Sequence, residues 1–535
     1  MRRAHWLGGL MVAWAGAICA PQAAADPSDQ AISRGILGEP ISINPQTAFD
    51  EAGKAVVYDL FEGLVSFSAN GDLVPGAADG WTVSDDALIY TFSLDPGAKW
   101  SNGDPVTAMD FVESWRQLLS PETAAPYASL GFSIRNARQV AQGVKPASEL
   151  GVTAAGDQTL IVELETATPF FLQQVSHYAF MPLHSSAIGT APAQWLVPGE
   201  LVSNGAYTLS QWRRGQRLSL ARNPYYRAAG SVSMPTIHHV VSNDLSMEVL
   251  RYRAGEIEVS YDTPSTQISW LEERLPGELG IAPKLAVYYL AINLDAPALQ
   301  NPGVRRALTM SIERDVLTEK ITRGGEQPLY GLVPPSMWPE GQAYAPEWSS
   351  WPRPRRVAEA RALMEAAGFD EDNRLRLEIL FSDSDLAKRL FVATSAMWQD
   401  VHVDARLLNV EPRATQQLRR ERQFQLFRTG WTADYAHPYT FLEIYRSDAG
   451  DLNFPNYRNA RFDALLDEAL AAQGEDAADL FRQAEALAMS DNPAIPIFVY
   501  STRRLVKPYI GGWVKNPIDV NLSRHLYFEP VGGTD

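Results

Sequence analysis

The lone cysteine of this 535-residue chain, Cys19, lies inside an apolar run close to the N-terminus. Everything downstream must therefore fold without a disulfide framework, a thiolate metal site or a thiol nucleophile. Apolar cores alone have to hold it, and the length exceeds one ordinary core, so two or three domains are expected. The run itself reads as an export leader. MRR is a basic start, WLGGLMVAWAGAICA is apolar but short for a membrane span, and AAAD closes it with small residues, which places cleavage after Ala25. Ile18 precedes Cys19, whereas a lipid-attachment cysteine follows a small residue, so lipid attachment is not expected. No later run reaches the roughly 18 to 20 apolar residues that span a bilayer.

Charge narrows the partners. The formal charge is −17, and Arg2 and Arg3 leave with the leader, which takes it to −19. Nucleic acid or an anionic membrane would call for a basic surface, so neither is expected. Solubility is the plainest reading of the acidity.

Periodicity gives mixed α and β structure with no repeats and no Ser/Gly- or Pro-rich linker to mark boundaries. Leu88, Tyr90, Phe92 and Leu94 alternate as in a strand, then DPG and NGDP turn the chain. A helix follows Thr107, with Asp110 three residues on as a near capping box and Phe111, Val112, Trp115, Leu118 and Leu119 on one face. Asn301 and Pro302 open a second helix over Val304, Leu308 and Ile312. VAEARALMEAAGF and ARFDALLDEALAAQ read as helices. QTLIVELET, QRLSLAR, RLEILFSD, AIPIFVYSTRRLV and FQLF (424–427) read as strands.

Catalytic signals are missing. There is no G-x-S-x-G elbow, S-x-x-K, P-loop or H-E-x-x-H. His238 and His239 are adjacent in a strand-like stretch and so face opposite ways, a poor arrangement for one metal. His177 and His184 flank a proline without metal-site spacing. Asp85-Asp86 and Glu272-Glu273 read as solvated surface. A triad assembled from distant segments stays open, because triads are defined by geometry.

One stretch resists a bland reading: RTGWTADYAHP (428–438) sets a single acid, Asp434, among Trp431, Tyr435 and Tyr439. With it come DLFEGL (59–64), AKWSNGDPVTAMDFVESW (98–115), PYAS (126–129), NGAYTL (204–209), RYRAGEIE (251–258) and RLVKPYIGG (504–512). In this order and spacing they resemble the large periplasmic solute-binding proteins of ABC importers that carry peptides, including murein-tripeptide binders. The resemblance implies a two-lobed α/β periplasmic-binding fold with an additional inserted domain. Behind a signal peptide at 1–25, one discontinuous lobe would combine 26–61, 187–285 and 502–535. The inserted domain would take 62–186 and the other lobe 286–501, with ligand enclosed as the lobes hinge together.

The resemblance also implies the work: capture of short peptides in the periplasm, with no chemistry, cofactor or metal, by a monomer that delivers to permease subunits in the inner membrane. Asp434 would pair with the ligand's α-ammonium while Trp431 and Tyr435 exclude water. The backbone of Thr429, Gly430, Trp431 and Thr432 would take the peptide as an added strand. Tyr127 and Tyr500 match ligand-contacting tyrosines, and Arg428 and Arg419 match arginines that meet the ligand carboxylate. Arg420 stands where the family example has His, Phe49 where a Glu often lines the site, and Ala387 where a His helps with longer ligands. A ligand-lining Trp is replaced near Pro412. Asp434 could instead be a structural acid buried against a neighbouring Arg, and LRRERQ (418–423) a solvated helix face. A dedicated binder of murein peptide or another solute is the alternative within the class; a periplasmic peptide hydrolase or a chaperone is the alternative outside it.

Overall fold

The computed structural model describes residues 30–382 and 384–530, so the leader, Cys19 and the expected cleavage point lie outside the described residues. Three main sheets organise the chain. In the first, strands run in the order Ala31–Leu37, Thr236–Ser242, Arg217–Arg222, Tyr207–Arg213, the first two parallel. The second is antiparallel: Ala78–Val83, Ile89–Leu94, Thr159–Glu163, Val152–Ala154. The third has six strands, in the order Gln327–Pro328, Ala494–Leu505, Leu279–Ile292, Leu426–Thr432, Leu375–Ser382, Val403–Val410. Among the described residues no helix is long and apolar enough to cross a membrane.

Local chemistry explains the ends of the elements. Thr107 starts the Ala108–Leu118 helix, and its N–H donates to the Asp110 carboxylate at 2.7 Å, the capping box expected from spacing. Asn301 caps Pro302–Met310 by accepting from the Gly303 N–H. Ile312 is not on that helix: the helix stops at Met310, and Ile312 is buried in the loop beyond. The strand expected over FQLF begins later, at Leu426, and runs on through Thr432. Its reach could not be read from an apolar run, because neighbours on the sheet, not side-chain hydropathy, hold its second half extended.

The two faces of the central Leu279–Ile292 strand follow the period of two. Tyr288, Leu290 and Ile292 enter one core, and Val287, Tyr289 and Ala291 another. A separate core unites the first two sheets around Trp100, Trp115 and Phe111. The strands Leu279–Ile292 and Ala494–Leu505 pair from Leu279↔Leu505 to Ala291↔Ala494, with a register break between Pro283 and Val287. Bridges from Val259 to Arg34 and to Val506 tie their outer ends to the first sheet. These two strands thus run from the body built on the first two sheets into the body built on the third, and the break lies on the way.

Candidate functional site

The site begins with an unfinished sheet edge. Leu426–Thr432 pairs along its length with Leu279–Ile292, from Ala286↔Thr432 to Ile292↔Leu426. On its other side Leu375–Ser382 meets it only at Ile379↔Leu426 and Leu380↔Phe427. No described strand pairs with the outer edge of Arg428–Thr432. An open edge offers a row of N–H and C=O groups to any extended chain.

Alternation sends Arg428, Gly430 and Thr432 to one face, beside Lys284, Ala286 and Tyr500, where they line a cavity of about 430 Å³. Gly430 is required by close approach: a Cβ there would sit 2.8 Å from the Val287 carbonyl oxygen and 3.4 Å from the Tyr500 ring. Arg428 donates to the Tyr500 hydroxyl at 3.3 Å and lies 4.9 Å from the centre of the Tyr288 ring. It forms no ion pair among the described residues, and its Nε is buried without a partner.

A second cavity, about 400 Å³, adjoins the first through the shared residues Lys284, Trp431 and Thr432. Phe49, Tyr58, Tyr127, His177, Asp434 and Tyr435 help to line it. Three distant stretches of sequence meet here. The Thr440 hydroxyl fixes the turn after the strand by accepting from both the Trp431 indole N–H and the Asp434 N–H, each at 3.4 Å. The Asp434 carboxylate faces the cavity half-buried and forms no ion pair among the described residues, so it is not a structural acid held by a neighbouring Arg. Burial pushes its carboxyl up to about 7, with Lys54 acting weakly the other way. The nearby cations are already engaged. Lys54 lies 3.5 Å from Glu51, and Lys284 lies 3.3 Å from Glu51 and 3.8 Å from Asp519. Behind Asp434, burial raises Glu443 to about 8 while the Tyr435 hydroxyl donates to it at 2.9 Å.

The cleft thus brings together Asp434, Trp431, Thr432, Gly430, Arg428, Tyr127, Tyr500, Tyr435 and Phe49. Thr429 shares the strand but belongs to neither lining. Arg419 and Arg420 end the Pro412–Arg420 helix and line neither cavity: Arg419 lies 4.6 Å over the Phe454 ring, and Arg420 is exposed. Ala387 packs into a core. Sequence reasoning missed Lys54, Glu51, Lys284 and His177, which carry no local motif and reach the site only through the fold.

A cluster of Ser523, Asp59 and His239 is buried in the first body, but it is wired for structure. The Ser523 hydroxyl donates to Asp59 at 2.6 Å and accepts from Arg34 at 2.6 Å, while His239 contacts Asp59 at 2.9 Å. Asp59 separates the hydroxyl from the imidazole, so the nucleophile–base contact that a triad needs is not made. His238 turns the other way, to Ser219 at 3.0 Å, as strand alternation required. Among the described residues no group of three His, Cys, Asp or Glu could hold a metal ion.

A family model described as bacterial extracellular solute-binding proteins, family 5 Middle, matches residues 72–453. The periplasmic oligopeptide-binding protein OppA of Escherichia coli K12 is 34% identical over 506 residues, covering 93% of this chain and 92% of that protein. The periplasmic murein peptide-binding protein MppA of the same organism is 32% identical, covering 93% of each. The structure of Haemophilus influenzae OppA in complex with RPPGFSPFR matches with a TM-score of 0.80 at 33% identity, covering 94% of this chain and 99% of that one.

Proposed function

This chain belongs to the bacterial extracellular solute-binding proteins of family 5, and from that membership we propose that it captures short peptides in the periplasm and delivers them to an ABC permease. The observation that carries the reading is an unpaired, half-buried carboxylate, Asp434, at one end of an open strand edge. A peptide's α-ammonium supplies the missing charge, and its backbone completes the sheet whatever its side chains are. Arg428, also without an ion pair among the described residues, stands six residues back, on the strand that leads into the turn carrying Asp434. At about 3.3 Å per residue that separates the two by at most about 20 Å, and the arginine's own reach shortens the gap to suit roughly three to five extended residues.

The protein works by binding, without chemistry, as a monomer with the inner-membrane permease subunits as its partner. Within the described residues, the stretches 26–61, 187–285 and 502–535 contribute one lobe, 62–186 an inserted domain and 286–501 the other lobe. Supporting this division, Ala31–Leu37 pairs with Thr236–Ser242 and Ser523 bonds Asp59, which draws start, middle and end together. The register break between Pro283 and Val287 supplies a place for the hinge. Cleavage after Ala25 releases the mature protein.

A murein peptide is the second candidate ligand. Arg419 has a buried Nε without a partner and Arg420 adjoins it, but both stand outside the two cavities, so a second carboxylate would have to reach past the cleft lining to meet them. Strong preference for a muropeptide in competition with ordinary tripeptides would establish that alternative.

The raised carboxyl of Asp434 gives a pH test. Pairing with ammonium favours the ionised acid, so the complex holds it below the value near 7 of the free protein. Below pH 7 binding must expel a proton, and affinity falls as pH drops, by up to about tenfold per unit. Above about pH 8 the ligand's amine itself loses its proton. Calorimetry should therefore find the tightest binding of a free-amine tripeptide between about pH 7 and 8. Near pH 6 the heat should depend on the buffer's ionisation enthalpy. A flat profile from about pH 5.5 to 8 would separate Asp434 from the ligand's charge.

A further inference from the structure

Phe170 crosses from one body to the other. It follows the Thr159–Glu163 strand and directly precedes the short Phe171–Val175 helix. The two neighbouring rings part company: Phe171 packs 4.8 Å from Tyr90 in the core of its own sheet, while Phe170 turns outward and yet is only 1% exposed. What covers it is the turn that carries Asp434. Phe170 stacks against Tyr435 at 5.1 Å, His437 at 4.4 Å and Tyr439 at 5.1 Å. That turn is braced on its own body, with His437 and Tyr439 against Phe481 at 5.1 and 6.0 Å and the Tyr435 hydroxyl on Glu443. Among the described aromatic pairs, Phe170 is the only ring from the other body that meets this turn.

The placement matters because both partners of the contact adjoin the cleft. Gln173, Ser176 and His177, just beyond Phe170, line the same cavity as Asp434 and Tyr435. We propose that Phe170 is a positioning residue: seated on Tyr435, His437 and Tyr439, it holds Asp434 across the cleft from Tyr127 and His177 and so sets how long a bound peptide stays. This rests on the peptide-binding reading. When the lobes part at the hinge, the Phe170 ring leaves its seat and meets water; when they close, the ring is buried again. The contact therefore acts on the closed state alone, and a ligand can leave only after the contact breaks.

Stopped-flow kinetics with a free-amine tripeptide tests this on wild type, Phe170→Ala and Phe170→Leu. Phe170→Ala should release the peptide at least about tenfold faster while association changes by less than about threefold, the pattern of a contact made after encounter. Phe170→Leu, which keeps apolar bulk but no flat ring, should fall between, and it carries the test should Phe170→Ala fail to fold. The ligand-free proteins should unfold at nearly the same temperature, because the contact shifts the balance between open and closed forms while each body folds without it. Unchanged dissociation, or a large drop in the ligand-free unfolding temperature with no kinetic effect, would make Phe170 an ordinary core residue and overturn the proposal. If wild type binds no peptide, the peptide reading fails separately. Small-angle scattering then decides: a larger radius of gyration for Phe170→Ala supports the latch, and an equal radius overturns it.

Discussion

Asp434→Asn should weaken binding of a free-amine tripeptide by at least about a hundredfold. The expectation rests on what the peptide's ammonium would meet: aromatic walls, Lys54 and Lys284 already engaged with Glu51, and an Asp50 carboxylate already accepting from the Gly53 and Ile41 N–H groups. Burying a charge without its partner costs about 3–5 kcal/mol, and each 1.4 kcal/mol is tenfold in affinity. The cleft admits water, so the lower part of that range applies. Asn keeps the shape and one accepting oxygen, so packing around Trp431 and Thr440 should survive. It also removes an unpaired buried charge from the free protein, which should then unfold at no lower temperature than wild type. An affinity within about threefold of wild type would show that the ammonium is held elsewhere.

Arg428→Met should divide ligands by their far end. Met keeps an apolar stem against Tyr288 but loses the guanidinium that lies over that ring and donates to Tyr500. A charge-assisted bond to a carboxylate would go with it, while the contacts made by an amidated peptide would not. Tripeptides ending in a free carboxylate should bind about thirtyfold more weakly, about 2 kcal/mol, and their C-terminal amides should change by less than about threefold. An equal loss for both would make Arg428 a support for Tyr500 and Tyr288 and would leave the carboxylate end without its anchor. Arg419 would then be the next arginine to change, since its buried Nε is also unpartnered.

The elements of this fold were largely written in local sequence. Thr107 with Asp110 and Asn301 with Pro302 announced helix starts because capping chemistry is confined to one turn. The alternation of His238 and His239 followed from strand geometry alone. Asp434 among aromatics was conspicuous as a sequence, and the fold does surround it with them. What local sequence could not carry was which edge stays open. That depends on Leu375–Ser382 meeting its neighbour at two positions only, a fact of register between distant segments. For the same reason Lys54 and Lys284, each paired to Glu51, were invisible, as was the path of Phe170 to the turn that carries Asp434. The stop at Met310, short of Ile312, shows the limit of periodicity: burial of a residue at helical spacing does not require the helix to continue.

The central claim is that the free amine of a peptide is what Asp434 awaits. Calorimetry on protein unfolded and refolded to strip any bound ligand, titrated with a mixed-sequence tripeptide and with its N-acetyl form at about pH 7.5, addresses it directly. Acetylation removes the charge and leaves the backbone, the side chains and the carboxylate in place. The account predicts measurable binding of the free-amine peptide and at least about a hundredfold weaker binding of the acetylated one, matching the loss caused by Asp434→Asn. Equal affinity for the two forms would contradict it, and would turn the search toward solutes recognised by the open edge and Arg428 alone.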